Sequence, residues 1–556
     1  MVPRIYESII PEIHVPTNLS VHQFLTRYNP EDVAPDKVVW EEADGGRTMS
    51  HGGVRDEAAI GAACLTSALG LHPGDVVAIY APNSINYGIA AHSVLWFGGV
   101  IAGINPMTSP YDMVHYLASC EPKVIITTPE LRGRVDEALS KSKNLPFQPI
   151  IVLLDETSNA LFPEFYGKKN YGRHQIPPLD LTGSDNRKHI AANMFSSGSS
   201  GKPKAVQWSH HTIIAHFVSV RASQPEQNSR LTREVLFVPF GHMFGLVAAV
   251  LNPVHCASHV VIMKQFEYLK YIEASARLRA TIMRMVPPIA LAIAKDPNIA
   301  KYDLTSVNVI MCAGATLQAE IVNQLQTIMG GCDILQGYGL SEAAVSALKP
   351  AKSIERSGSV GRLFPSHTLR VVDDNLNDVE VGQPGEALVK GPTVFLSYKN
   401  NPIATKEAFH DGWLRTGDVV KVDEDGYIWF LDRKKEMIKY KGNQVAPAEL
   451  EDLLNSHPSV AESAVCGIFD SSQQTEVPVG YVCLNDSISE SERSKVLKEI
   501  RQWVDGIVSP SKKLRGGVFY IAQIPKNPTG KVQRMLLPAR LEAAAKIAAE
   551  NRPSKL

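Results

Sequence analysis

Phe195-Ser196-Ser197-Gly198-Ser199-Ser200-Gly201-Lys202-Pro203-Lys204 follows an apolar run and leads straight into Ala205-Val206. Its glycines let backbone N–H groups converge on one point, its serines add hydroxyl donors, and its lysines add charge. That is the chemistry of a polyphosphate cradle. It is not a Walker A loop, because Pro203 follows Lys202 where a Ser or Thr would have to meet magnesium. A flexible Gly/Ser linker is the bland alternative. A linker does not usually end in Lys-Pro-Lys and run into apolar residues. Ser209 then predicts the N-cap of a helix.

Outward from this loop, short β-branched runs alternate with helical patterns. Residues 76–80, 124–127, 150–154, 260–263 and 307–311 read as strands, and 83–97, 268–278 and 317–329 as helices. Such βα alternation predicts mostly parallel sheet with helices on its faces. From 359 to 391 the pattern changes, and 367–372 and 386–390 read as short strands of a small antiparallel barrel. Beyond Asp432 it changes again: a basic run, a helix at 447–455, strands at 464–468 and 479–484, a helix at 493–504 and a strand at 517–521. A last, Ala-rich helix is expected at 541–550. The fold class is therefore α/β, with a large N-terminal domain of two α/β sheets plus a small β-barrel (1–432). A C-terminal α+β domain (433–550) and a tail (551–556) follow.

Composition excludes classes without naming a function. Over 556 residues, 44% are hydrophobic and 20% charged, which rules out a disordered, collagenous or coiled-coil chain. Lys plus Arg total 56 against 57 Asp plus Glu, so no global charge footprint marks a nucleic acid or an anionic membrane as partner. Seven cysteines (Cys64, Cys120, Cys256, Cys312, Cys332, Cys466 and Cys483) lie far apart, and read as reduced, mostly buried thiols. Residues 87–104 and 237–263 carry no charge apart from histidine. Gly, Pro or Asn interrupts both, so they read as buried helix and strand, not membrane spans. The N-terminal residues 1–13 resemble neither a secretory signal nor a basic transit peptide. The tail ends in Ser554-Lys555-Leu556, a peroxisomal address read by an import receptor.

Four further stretches carry chemistry. Gln336-Gly337-Tyr338-Gly339-Leu340-Ser341-Glu342 is expected to make a tight turn that presents an aromatic face and a carboxylate. Trp413-Leu414-Arg415-Thr416-Gly417-Asp418 ends in an acid suited to a ribose diol. Asp432-Arg433-Lys434-Lys435-Glu436 leads into Ile438-Lys439-Tyr440-Lys441-Gly442. Pro525-Lys526-Asn527-Pro528-Thr529-Gly530-Lys531 is a rigid turn presenting a lysine. Each alone matches an ordinary solvated surface group. In this order and over this length they resemble the AMP-forming adenylate-forming superfamily, which includes acyl- and aryl-CoA ligases, firefly luciferase and adenylation domains. The likeness covers about residues 24–531, and residues 440–451 look most like the 4-coumarate–CoA ligase and luciferase branch. Asn443 departs from the aromatic usual in that branch.

The resemblance implies a two-step reaction with ATP, Mg2+ and coenzyme A. A carboxylate attacks the α-phosphate to give an acyl-adenylate and pyrophosphate, and the coenzyme A thiol then displaces AMP. Ser197, Gly198, Ser199, Ser200, Gly201 and Lys204 match the phosphate loop, and Gly337, Tyr338, Gly339 and Ser341 the adjoining nucleotide segment. Glu342 matches the magnesium-binding acid; Asp418 and Arg433 match the ribose and phosphate contacts. Lys531 matches the adenylating lysine. Cys312-Ala313-Gly314-Ala315-Thr316 matches the adenine wall, with Ala313 for a usual Gly and Thr316 for a usual Pro. His242 matches a residue beside the carboxylate entrance. Together with Met243, Phe244, Ala313, Gly314, Gly339, Val345 and Ser346 it matches the acyl pocket. Lys435 matches a hinge about which the small domain swings, and Lys441-Gly442 the segment that reaches coenzyme A in the second pose. A peroxisomal acyl- or aryl-CoA ligase acting on a small-molecule carboxylic acid, aromatic or fatty, is the leading reading. A stand-alone enzyme loading a carrier protein, luciferase-like oxidation of an adenylate, and a non-catalytic binding protein on the same fold remain open.

Overall fold

The computed structural model describes residues 4–542 apart from 143–144, 147, 155–161, 163–173, 197–203, 286, 313–318, 348–355, 357, 441–442, 471–472, 474, 509 and 527–529. Three large sheets form the N-terminal part. The first has seven strands, in the order Ser397–Tyr398, Lys204–Ser209, Ile190–Ser196, Val100–Gly103, Val76–Tyr80, Val124–Thr127, Ile150–Leu153. Its five last-named strands pair in parallel, as the βα alternation predicts. Every residue of Val76–Tyr80 and Val124–Thr127 is buried, which suits strands covered on both faces.

The second sheet has nine strands. Its middle is parallel and runs Asp333–Leu340, Val309–Cys312, Ile282–Met285, Arg233–Leu236, His259–Ile262, Val38–Glu42. Between the two sheets lies the helix Ile85–Trp96, all twelve residues of which are buried. A helix with no polar face belongs in such a layer. Ser84 caps it by accepting the Tyr87 N–H at 3.0 Å. One contiguous core takes in both sheets, from Val77 and Ile101 to Trp40 and Val260.

The antiparallel unit expected after residue 359 is a six-stranded sheet. Tyr6–Glu7, Thr368–Val372, Gly385–Lys390, Trp413–Val422 and Phe409–His410 pair in that order, and Ile428–Arg433 pairs with Trp413–Val422. The C-terminal part has its own core and the antiparallel pair Val460–Asp470 and Thr475–Leu484, joined in parallel by Val518–Tyr520. The helices Pro447–Asn455 and Arg493–Ile507 accompany it. The helix expected at 541–550 lies mostly outside the described residues.

Three readings can be compared directly. All seven cysteines are free, six of them buried, and burial pushes their thiols up. Among the described residues no helix is long and apolar enough to cross a membrane. Residues 237–263 hold an unforeseen feature, the π-helical turn Leu246–Leu251, with every residue buried. The tight turn expected within 336–342 lies at the end of that stretch. Gly337, Tyr338 and Gly339 lie inside the eight-residue strand Asp333–Leu340, and the chain reverses only at Ser341-Glu342. The register shifts between Tyr338 and Gly339. A Cβ on Gly339 would stand 3.1 Å from the Ala343 carbonyl oxygen, so glycine serves a close strand approach and not a turn.

Candidate active site

Ile190–Ser196 and Lys204–Ser209 form an antiparallel hairpin that Ser196 and Lys204 close. Its tip is the Gly/Ser loop; Ser197, Gly198, Ser199, Ser200 and Gly201 lie outside the described residues, but the positions flanking them are set by this pairing. Ser209 caps the helix His210–Ser223 through the Thr212 N–H at 3.1 Å, as expected. The Lys204 ammonium lies 4.9 Å from the centre of the Tyr398 ring. Tyr398 reaches it because Ser397–Tyr398 pairs beside Lys204–Ser209.

Tyr398 also donates its hydroxyl to Glu342 Oε1 at 2.7 Å. The Glu342 residue is buried, and its backbone carbonyl accepts the Phe395 N–H at 2.7 Å. Trp208 Nε1 donates to the Ser341 carbonyl at 2.8 Å. Lys204, the expected phosphate-loop lysine, and Glu342, the candidate metal acid, are thus held together by one tyrosine, which the motifs did not reveal. Among the described residues no group of three or more His, Cys, Asp or Glu side chains could hold a metal. A single buried carboxylate beside a polyphosphate nevertheless fits magnesium, which keeps waters and takes phosphate oxygens.

Asp418 sits in Trp413–Val422, directly across from Arg433 on Ile428–Arg433. It is buried, and Tyr338 donates its hydroxyl to Asp418 Oδ2 at 2.8 Å. Burial pushes the Asp418 carboxyl up to about 6. The Tyr338 hydrogen bond, Arg433 and Lys531 oppose that rise, and Glu342 adds to it. Lys531 comes from the C-terminal part and retains accessible surface, yet protein crowds its ammonium. Desolvation and then Arg433 hold it below the ordinary lysine range, against Asp418 and Glu436. Asp418, Arg433, Glu342 and Lys531 therefore share one electrostatic neighbourhood, built from the second sheet, the third sheet and the C-terminal part.

His242 belongs to the same neighbourhood. Burial and the charge of Lys531 push its imidazole down to about 4, so it is neutral at pH 7. Its Nδ1 accepts the Phe244 N–H at 3.3 Å, which leaves the ring proton on Nε2 as a donor. Asn83 positions the approach: it donates to the Phe237, Val238 and Met263 carbonyls and accepts the Phe240 N–H at 2.9 Å. Gly241 passes so near the first sheet that an added Cβ would lie 2.8 Å from the Ile104 carbonyl. Met243 and Phe244 are half-buried beside His242.

Other expected positions fall differently. Val345 is fully buried in the main core, and Ser346 spends its hydroxyl on the Val360 carbonyl at 2.9 Å. Gly337 and Gly339 are exposed on their strand. Ala313, Gly314, Ala315, Lys441 and Gly442 lie outside the described residues, as do Ser554, Lys555 and Leu556. Lys435 is exposed in a turn. Its neighbour Lys434 is pinned to the third sheet by Glu386 and Asp374, each at 2.9 Å.

Arg534, three residues beyond Lys531, was not singled out by any motif. It donates from Nη2 to Glu451 at 2.7 Å, from Nε to Glu451 at 3.0 Å, and from Nη1 to Glu436. Asp432 lies 3.9 Å from Nη1 and accepts the Ala448 N–H at 3.2 Å. A signal existed in principle, because Glu436, Glu451 and Arg534 are all charged residues that the fold buries or half-buries.

Residues 28–399 match the family described as AMP-binding enzyme, and residues 449–531 match the AMP-binding enzyme C-terminal domain. Among curated relatives, the probable CoA ligase CCL5 of Humulus lupulus is 32% identical over 94% of this chain and 93% of its own length. The peroxisomal OPC-8:0-CoA ligase 1 of Arabidopsis thaliana is 33% identical over 85% of this chain and 84% of its own. ATP-bound MatB from Rhodopseudomonas palustris shares the fold, with a TM-score of 0.82 at 23% identity over 95% of this chain and all of that one. Fold and sequence agree: this chain belongs to the AMP-binding enzyme family.

Proposed function

We propose that the protein activates a small organic acid as its acyl-adenylate and passes the acyl group to coenzyme A. It is an acid–thiol ligase of the AMP-forming type. The observation that carries the reading is Lys531 of the C-terminal part standing within electrostatic reach of Asp418, Arg433 and His242. A carboxylate oxygen attacks the α-phosphorus of ATP, and the bond to the pyrophosphate oxygen breaks. The thiol sulfur of coenzyme A then attacks the acyl carbon, AMP leaves with the electron pair, and the thiol proton goes to solvent or a base.

Lys531 places a positive charge where negative charge grows on the α-phosphate, the kind of preorganised stabilisation that dominates phosphoryl transfer. Its depressed pKa leaves it strongly polarising. Asp418 accepts from a ribose hydroxyl, and Arg433 opposite contributes charge on the phosphate side. His242, neutral and bearing its proton on Nε2, orients the incoming carboxylate without neutralising it. Lys204 and the loop it closes hold the β- and γ-phosphates. Glu342 would hold magnesium, which supplies charge neutralisation on the phosphate oxygens. Lys441-Gly442 turns to the site for the second step, with Lys435 as the pivot and 433–550 as the moving domain. Ser554-Lys555-Leu556 addresses the protein to the peroxisome, and a peroxisomal relative supports that reading.

A pyrophosphate-release assay with and without coenzyme A, across aryl acids, phenylacetates and fatty acids, tests the reading. Release with thioester formation is expected for one class. Adenylate transferred to a carrier protein, with coenzyme A inert, would favour the carrier-loading alternative. No release with any acid would sink the proposal.

A further inference from the structure

Arg284 lies on Ile282–Met285, a central strand of the second sheet. Side chains alternate along that strand, and Met283 and Met285 join the core on the outer face. Arg284 therefore points with Ile282 toward the layer between the first and second sheets. On the neighbouring strands that face carries Glu234, Leu236, Val309, Met311, Asp333 and Leu335, so Arg284 sits among mostly apolar residues with Glu234 as its paired acid. A guanidinium among such residues is costly unless a paired acid or a polar ligand meets it.

The paired acid is present. Arg284 Nε donates to Glu234 Oε2 at 2.6 Å, with the two side chains 10% and 1% exposed. The charge of the pair is thereby balanced, but the donors are not used up. Nη1 donates only to the Met311 sulfur, at 2.8 Å, and a thioether is a weak acceptor. Among the described residues no other acceptor meets the guanidinium. Its plane lies 5.5 Å from the centre of the Phe244 ring, on the short turn that His242 caps. Arg284 is thus next to the residues at the carboxylate entrance but deeper in the sheet layer.

A second group shows that this layer is not sealed. His216, on the helix His210–Ser223, keeps accessible surface. Yet enclosure, followed by His367 and Arg284 nearby, pushes its imidazole down to about 4. The Arg284 side chain likewise keeps a small accessible surface, so both groups border space that a ligand or solvent can reach. The strand that bears Arg284 ends at the same edge of the parallel sheet, where ligands of open α/β sheets bind.

We propose that Arg284 forms the far end of the acid pocket and selects carboxylic acids that carry a neutral oxygen acceptor (a carbonyl, hydroxyl or ether) remote from the reacting carboxylate. The inference rests on the ligase reading above and deepens it. Glu234 decides the class. It already cancels the charge of Arg284, so a second carboxylate there would face Glu234 across a shared guanidinium. A neutral oxygen takes the spare N–H donors with no such repulsion. A purely apolar tail leaves those donors unmet, which disfavours it.

The test uses the full-length protein and matched pairs of acids that differ only in the distal oxygen, such as a cinnamate with and without a ring hydroxyl or a fatty acid with and without a terminal carbonyl. Pyrophosphate release gives kcat and KM for each. The wild type is expected to favour the oxygenated partner by about tenfold or more in kcat/KM, carried mostly by KM. Arg284→Met is expected to bring that ratio near one. Glu234→Gln frees the charge of Arg284, and is expected to improve acids with a distal carboxylate relative to their monocarboxylic partners by about tenfold. The wild-type ratio stands without either variant, should one fail to fold. A wild-type ratio near one, a ratio unchanged in Arg284→Met, or no carboxylate gain in Glu234→Gln would overturn the assignment of Arg284 and leave the ligase reading intact. No turnover with any acid in either set would remove both.

Discussion

Lys531 and Arg534 stand three residues apart on one segment and live in opposite surroundings. Arg534 is enclosed by Glu451, Glu436 and Asp432, and these acids push its pKa up. Lys531 is desolvated and faces a cation, Arg433, as well as acids, and its pKa is driven down. The first arrangement suits a charge that holds the C-terminal core to the junction at Asp432. The second suits a charge kept ready for a ligand that brings its own negative charge. One short stretch therefore carries an anchor and the proposed working group, and their surroundings tell them apart.

Lys531→Ala should break the working side of this contrast most severely. Adenylation, followed by pyrophosphate exchange, is expected to fall on the order of 10³-fold, about 4 kcal/mol. Thermal unfolding is expected to move little, since removing a poorly solvated charge relieves its desolvation and the repulsion of Arg433 as well as ending the attraction of Asp418 and Glu436. A large loss of stability with modest loss of rate would reverse the two roles. Arg534→Met should do the opposite. Leaving Glu451 and Asp432 unpaired is expected to cost about 3 kcal/mol in denaturant unfolding of the C-terminal part. Unchanged unfolding would show that the network holds nothing.

The pH dependence sharpens the working side. Asp418 has its carboxyl raised to about 6, so it gains a proton as pH falls through that value and ceases to be a pure acceptor. The kcat/KM for ATP is expected to decline about tenfold per pH unit below roughly pH 6. Asp418→Asn should lower the plateau and remove that limb; a limb that persists belongs to another group. The linkage sign runs the other way for stability: because burial raises this pKa, the folded state loses stability as pH rises from the ordinary carboxyl range toward 6. The smallest effect is expected at Tyr398. Tyr398→Phe removes the hydroxyl on Glu342, and the magnesium needed for half-maximal rate should rise a few-fold, about 1 kcal/mol. No change in magnesium dependence would mean that Tyr398 only supports the strand pair.

Much of this was readable along the chain. The buried strands Val76–Tyr80 and Val124–Thr127 and the helices Tyr268–Leu278 and Pro447–Asn455 follow from local apolar patterns. Asp418 and Lys531 were singled out because their neighbours form ordered motifs. The turn expected within 336–342 could not be placed more closely along the chain, because Gly-Tyr-Gly looks alike in a turn and in a strand with a close partner. Only the approach of Ala343 distinguishes them. Tyr398 was passed over because its strand has two residues, too few for any periodicity. Glu234 and Arg284 are lone charges in two apolar runs, and neither run shows that the other is its partner.

The sequence by itself determined which segments become strand or helix, the order of the motifs, and the chemical types available to them. Those properties depend on neighbours within a few residues, where side-chain alternation and capping act. The tertiary structure alone decided the pairings: Tyr338 with Asp418 across 80 residues, Tyr398 with Glu342 across 56, and Arg284 with Glu234 across 50. Register between distant strands sets these contacts, and burial then sets the pKa values. Both arise from the packed whole, so the candidate groups were legible along the chain but their partners and charge states were not.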